Sequence, residues 1–304
     1  MIVTSAAEFA AMYTPERFPA SRPATPRAAF LVAPYGFSLA AESARDNRYM
    51  AMQERADAER ALAEHAALAA ALRECLPTIV FPGDAETPDA VFPNNVFATA
   101  PGRLVVGAMR HAVRRREATR GDIRAFFGDL LGYETLDLSS EPVVAELTGS
   151  LVIDRARGIG FCGLSERCDM AGARAMHAAF GLELMFCFEL APGEYHANVV
   201  LAILASRAAV MAPDGFADRA DAEAIAAVYA PRTLMLDAAQ KAAFAGNAIA
   251  LSDDAVWMSA RAAAALREDQ RAALAGWGFA PRSVALSEIE KAGGSLRCCV
   301  GEIF

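Results

Sequence analysis

Residues 150–188 read SLVIDRARGIGFCGLSERCDMAGARAMHAAFGLELMFCF. Residues 150–153 and 159–164 are short apolar runs of strand character, joined by the polar turn 154–158. Residues 167–180 follow with alanines, arginines and larger apolar side chains at helical spacing. Residues 182–188 close the stretch as a third extended run, aliphatic and aromatic. The unit is strand, strand, helix, strand.

The same unit recurs outward in both directions. Helical patterns occupy 50–74, 114–131, 217–229 and 260–276. Each is followed by an extended run, at 78–81, 133–138, 232–236 and 282–286. Strand pairs precede the later helices: 95–99 with 104–109, 198–204 with 208–212, and 247–251 with 256–259. The fifth pair needs both ends of the chain, 296–303 with 30–34. The expected fold class is therefore α/β, with five strand-strand-helix-strand modules around a pseudo-fivefold axis. Closure of that kind leaves few exposed strand edges. An ordinary α/β domain with hairpins is the alternative. The expected organisation is a single catalytic domain over 28–304. An arm over 1–27, bearing Pro15, Pro19, Pro23 and Pro26, precedes it on the surface.

Composition narrows the function. The chain has 304 residues, a formal net charge of −8, 55% hydrophobic and 22% charged residues, which suits a packed soluble protein. The acidic balance argues against a nucleic-acid partner. The longest alanine-rich stretch, 49–76, is broken by Glu, Arg, Asp and His, so no membrane span or membrane partner is expected. The N-terminal residues lack a basic segment followed by an apolar block, so no secretory signal is expected. Six cysteines without a Cys-x-x-Cys pattern, and four histidines, fit neither a disulfide scaffold nor a zinc site. A reducing, cytoplasmic setting follows, with a thiol free to act as nucleophile and no metal. The sequence is compatible with a homo-oligomer.

Polar residues stand where the first strand of each pair begins: Asn94-Asn95, Glu146 to Ser150, His196 with Asn198, Gly246-Asn247, and Arg297-Cys298-Cys299. Such positions are apolar when they serve packing alone. Repeated polarity means a satisfied network or a site. Cys, His and Glu together form a catalytic combination. Cys75, Cys162, Cys168 and Cys187 lie in helix or strand patterns and read as inert. Cys298 follows the flexible Gly293-Gly294-Ser295. Cys299, next along a strand, would face the other way, and spacing does not say which of the two faces the axis. His196 is the best placed of the histidines, since His65 and His177 sit in helix patterns and His111 in a basic loop. Glu146, among Val143, Val144, Ala145 and Leu147, must be paired or functional if buried. Three cations at Arg114-Arg115-Arg116 oppose a helix dipole and point to an acidic partner or a substrate carboxylate.

These segments resemble the guanidine-modifying superfamily: arginine deiminase, glycine amidinotransferase, dimethylarginine dimethylaminohydrolase and succinylarginine dihydrolase. The similar stretches are PDAVFPNN at 88–95, RRRE at 114–117, ELTGS at 146–150, GLSER at 163–167, YHAN at 195–198 and GGSLRC at 293–298, in the same order. The nearest branch looks like the citrulline-utilisation hydrolases, which are amidinotransferase-like. The resemblance implies the pentein α/β propeller. It implies Cys298 as nucleophile, because the family cysteine takes the first position where two stand together. It implies His196 as general acid and base, and Glu146 as the carboxylate orienting the substrate's planar nitrogens. Asp89, Arg115 and Arg167 match positions used for substrate or loop contacts.

The chemistry can be argued independently. A guanidinium or ureido carbon is deactivated by resonance, so attack needs a strong nucleophile and protonation of the departing amine. A thiolate supplies the first and a histidine the second. A covalent thiouronium-type adduct follows, resolved by water, and no cofactor is required. Asn94 and Asn95 stand where the dimethylarginine enzymes carry acidic residues, and Asn198 where arginine deiminases carry Asp. Amides suit a neutral ureido group. The expected substrate is a small guanidino or ureido amino-acid derivative of the arginine or citrulline type. Dimethylarginine hydrolysis and amidino transfer to an amine are the enzymatic alternatives. A ligand-binding pseudoenzyme is the non-enzymatic one. A peptide-cleaving thiol protease lacks any flanking signature.

Overall fold

A computed structural model describes residues 1–304. It contains five small sheets. In the quoted stretch, Leu151–Asp154 pairs antiparallel with Ile159–Leu164, which pairs parallel with Leu184–Glu189. The helix Met170–Phe180 makes the crossover that a parallel partner requires. The same order holds for Phe97–Ala100, Arg103–Val106 and Glu134–Asp137. It holds again for Leu201–Leu204, Ala208–Met211 and Thr233–Met235. Gly301–Ile303, Ala28–Val32 and Thr78–Phe81 form the sheet that joins the two ends of the chain.

The fourth module is thinner than its sequence pattern. Ala255–Ser259 pairs parallel with Ala280–Val284, but the expected strand at 247–251 reduces to one bridge, Ile249 to Trp257. Asn247 turns its side chain to the neighbouring turns, and no strand follows it before Ala255.

Side-chain caps set where helices begin. Asp57, Asp169, Asp218 and Ser259 each accept a backbone N–H of the first turn. The helix expected over 50–74 therefore starts at Ala58, and residues 36–57 form a long loop. The helix expected from 167 starts at Met170, leaving Arg167 in a turn. The pattern at 114–131 breaks into short pieces, and that at 260–276 splits at Leu266-Arg267.

Residues 1–27 are held to the body. Ile2–Val3 adds a parallel strand beside Leu184–Glu189, and Phe9 stacks on Phe186 with ring centroids 4.9 Å apart. No helix is long and apolar enough to cross a membrane.

Candidate active site

Four of the five first-strand positions are preceded by a single helical turn: Pro93–Asn95, Leu147–Ser150, Ala197–Val200 and Leu296–Cys299. The expectation that strands begin at these residues is corrected. The turns are bound to one another through side chains. Thr148 Oγ1 donates to Asn94 O at 3.0 Å, and Asn198 Nδ2 to Thr148 O at 3.0 Å. Asn247 Nδ2 donates to Asn198 O at 3.0 Å, and Asn247 Oδ1 accepts from Arg297 N at 3.0 Å. The turn Leu296–Cys299 packs on Pro93–Asn95. Strand alternation therefore does not separate Cys298 from Cys299, because both lie in a helical turn.

A small cavity separates them. Cys298, His196, Asp89, Asn95, Arg167 and Arg114 are among its lining side chains, and Cys299 is not. Glu146 sits behind His196, fully buried. His196 Nε2 donates to Glu146 Oε2 at 2.9 Å. Arg167 Nη1 donates to the same oxygen at 3.1 Å, and Arg167 Nε to Asp46 Oδ1 at 2.7 Å. Tyr195 ties His196 to the loop that leads to Cys298: its hydroxyl donates to Gly293 O at 2.5 Å, and its ring centroid is 4.4 Å from that of His196.

Two glycines permit this closeness. A Cβ on residue 149 would sit 2.8 Å from His196 Nδ1 and nearer still to Asn95 Oδ1. Gly293 has φ +79°, a left-handed conformation, and faces Asn47 across the same loop.

Burial sets the protonation states, and charges correct it. Burial raises the Glu146 carboxyl, but Arg167 and His196 outweigh it and hold Glu146 well below the usual carboxylate range. Burial lowers His196 against the pull of Glu146, so the imidazole is neutral at pH 7. With Nε2–H given to Glu146, Nδ1 keeps its lone pair, and it is buried without a partner. Burial raises the Cys298 thiol; the Ser295 backbone, Asn247, Arg297 and Asn198 oppose that rise in part. Asn247 Nδ2 donates to Cys298 Sγ at 3.2 Å. Burial also raises Asp89, against Arg114 and a 2.5 Å hydrogen bond from Ser43 Oγ. Asp89 Oδ1 and Asn95 Oδ1 are buried without partners.

Of the residues singled out from sequence, Cys298, His196, Asp89, Asn95 and Arg167 meet at the cavity, with Glu146 one contact behind. Asn198 lies beside Cys298, its Oδ1 3.7 Å from Cys298 Sγ. Asn94 is buried in the adjoining turn with both amide atoms unpaired, outside the cavity lining. Arg115 is not brought in. It is exposed and donates to the carbonyls of Met109 and Arg110. Arg114 takes the inner position instead, paired to Glu117 and donating to Phe92 O at 3.0 Å. Neighbouring residues of a helical turn point about 100° apart, so only one of the three arginines faces inward. Sequence reading missed the loop 36–57, whose Ser43 and Asn47 line the cavity. Its one signal was the polar run Arg45-Asp46-Asn47, just ahead of the helical pattern read over 50–74.

The sequence matches the family profile "N,N dimethylarginine dimethylhydrolase, eukaryotic" over residues 33–304. The chain belongs to this family. A curated relative, the N(G),N(G)-dimethylarginine dimethylaminohydrolase of Mycobacterium tuberculosis (strain ATCC 25618 / H37Rv), is 29% identical over 221 residues, 71% of this chain. The match covers 66% of that relative's length. The family fold recurs in solved structures. The N-terminal domain of ArgZ, an arginine dihydrolase from the ornithine-ammonia cycle in Cyanobacteria, superposes with a TM-score of 0.79 at 20% identity, over 91% of this chain and 97% of that one. A dimethylarginine dimethylaminohydrolase, solved as its adduct with 4-chloro-2-hydroxymethylpyridine, gives a TM-score of 0.69 at 20% identity, over 91% and 99%. The α/β fold expected from the repeat is thus the fold of these proteins, although each of the five sheets stays open.

Proposed function

We propose that this protein is a cysteine-dependent hydrolase that breaks a C–N bond in a guanidino or ureido amino-acid derivative of the arginine type. One observation carries the reading. Cys298, His196 and Asp89 open on one buried cavity whose unpaired side-chain atoms, Asp89 Oδ1, Asn95 Oδ1 and His196 Nδ1, are all acceptors. A guanidinium offers five N–H donors on a plane and supplies what those acceptors lack. Both cavity arginines are already spent on internal carboxylates and carbonyls. We also read the five modules as a closed α/β propeller around one axis, which the turn-to-turn hydrogen bonds support.

The resting site holds a neutral thiol and a neutral imidazole. On binding a cationic substrate, the Cys298 proton passes to His196 Nδ1, the nitrogen not engaged by Glu146. The thiolate attacks the guanidino carbon. His196 Nδ1–H returns its proton to the departing nitrogen, the C–N bond breaks, and a thiouronium-type adduct remains on Cys298. Water then gives a proton to Nδ1 and attacks the same carbon. Collapse releases the ureido product and restores the thiol. Glu146 stays ionised throughout and stabilises the imidazolium.

Dimethylarginine as substrate is the second reading, favoured by the family membership. Ammonia and dimethylamine release should be measured with arginine, citrulline, dimethylarginine and succinylarginine. The proposal expects amine release from at least one of them, lost by about three orders of magnitude or more in Cys298→Ala. It also expects an adduct on Cys298 visible by mass spectrometry. No release from any of the four, or release indifferent to Cys298→Ala, overturns it. The amine that appears chooses between the two substrates.

A further inference from the structure

A second cavity has Thr148 and Asn198 of the lead-in turns among its lining residues, together with Ser206 and Ala24. Strand residues such as Val152, Leu201 and Ala250 make an apolar wall. Three charged side chains enter it: Arg155, Arg297 and Glu302. Both guanidiniums turn to the same carboxylate oxygen. Arg297 Nη2 is 2.9 Å from Glu302 Oε2, and Arg155 Nη2 is 3.6 Å from it. Their other contacts are neutral. Arg155 Nη1 donates to Thr99 O at 2.9 Å and its guanidinium lies 4.2 Å from the Phe304 ring, while Arg297 Nη1 donates to Val300 O at 3.0 Å. The side chains are only 10% and 12% exposed. Arginine does not give up its proton in such surroundings. One carboxylate between two cations leaves a positive charge in excess, in a place where charge is costly to leave uncompensated. Burial and the neighbouring Arg297 together destabilise the charge on Arg155, against Glu302.

We propose that this channel is a binding site for a small, weakly hydrated monovalent anion such as a halide, held between Arg155 and Arg297. The apolar wall disfavours sulfate and phosphate, which keep their water. The site is linked to the nucleophile. Arg297 N donates to Asn247 Oδ1, and Asn247 Nδ2 donates to Cys298 Sγ. Arg297 is also one of the charges that favour the Cys298 thiolate. An anion on Arg297 cancels that help and makes the thiol less reactive.

The probe is bromide, exchanged for gluconate at constant ionic strength on the full chain. Bromide should raise Tm saturably, give an anomalous scattering peak between the two guanidiniums, and slow iodoacetamide alkylation of Cys298 about threefold or more. Sulfate should do none of these. Arg155→Gln should remove the saturable response. Glu302→Gln, which deletes the competing carboxylate, should lower the half-saturating bromide concentration several-fold. This variant decides the matter if Arg155→Gln does not fold. Absence of a saturable Tm response in both the wild type and Glu302→Gln, or bromide peaks confined to the surface, overturns the site. A Tm response with unchanged alkylation overturns its link to the nucleophile. None of these readouts needs turnover, so their failure is separate from failure of the hydrolase reading.

Discussion

Asn247 makes three contacts with one side chain. Its amide nitrogen faces the Cys298 sulfur at 3.2 Å and the Asn198 carbonyl at 3.0 Å, and its oxygen accepts from Arg297 N. A donor to sulfur favours the thiolate, so losing it moves the thiol in the direction burial already pushes it, upward. A hydrogen bond to a charged group contributes about 1.5–3 kcal/mol, and 1.36 kcal/mol corresponds to one pH unit. Asn247→Ala should therefore raise the pH midpoint of Cys298 alkylation by about one unit or more. Asn247→Asp keeps the acceptor for Arg297 N but sets an acceptor-only group beside the sulfur, and should raise the midpoint further. Peptide-resolved alkylation across pH 6–11 measures both. An unchanged midpoint in both variants removes Asn247 from the activation of the thiol.

At the scale of elements, Ala205, Ser206 and Arg207 join Leu201–Leu204 to Ala208–Met211, and Arg207 N donates to Leu204 O at 2.9 Å, so Ala205 and Ser206 are the central residues of a β-turn, with φ of +45° and +55°. A β-turn with both central φ positive favours Asn and Gly. Alanine pays roughly 1–2 kcal/mol there. Ser206 earns its place, since its Oγ accepts from Ala156 N at 3.1 Å. Ala205 has no such contact. Ala205 is 5% exposed and packs in the core, so glycine, which suits the positive φ and buries no polar atom, is the fitting replacement: Ala205→Gly should stabilise the fold by about 1 kcal/mol and raise Tm by roughly 2–4 °C. Thermal unfolding checks it, and a lower Tm contradicts the assignment of strain to this turn. The same scale marks how far the sequence could be read. Third strands such as Thr78–Phe81 and pairs such as 159–164 were legible because apolar runs between turn residues report burial directly. Helix starts were displaced wherever an Asp cap stood inside the pattern, as Asp57 and Asp169 do. The loop 36–57 was illegible for a different reason. Its fold depends on partners far along the chain, such as Asp46 with Arg167 and Asn47 with Gly293. Cys298, His196 and Glu146 were legible as polar residues at equivalent module positions. Arg114 against Arg115 was not, because consecutive arginines carry no periodic signal and only the direction of one short turn separates them.

Across the whole molecule, the N-terminal arm and the cavity at Cys298 are at separate addresses. Ile2–Val3 covers the outer edge of Leu184–Glu189, and Phe9, 1% exposed, sits between Tyr13, Phe161 and Phe186. Nothing from residues 1–27 lines the cavity that holds Cys298 and His196. Removing a buried phenylalanine side chain costs about 3–5 kcal/mol. At roughly 2–4 °C per kcal/mol for a chain of this size class, Phe9→Ala should lower Tm by about 10 °C. The released strand edge and the bared Phe186 should also make the variant aggregate on heating. Below the transition, kcat and KM should stay within about twofold of the wild type, because the four lead-in turns and Asn247 are tied to each other and not to the arm. Calorimetry, light scattering and steady-state kinetics on one preparation measure all three. A large fall in kcat at a temperature where Phe9→Ala is still folded would mean that the arm reaches the site through the packing of the sheet formed by Leu151–Asp154, Ile159–Leu164 and Leu184–Glu189, and that arm and cavity are not independent.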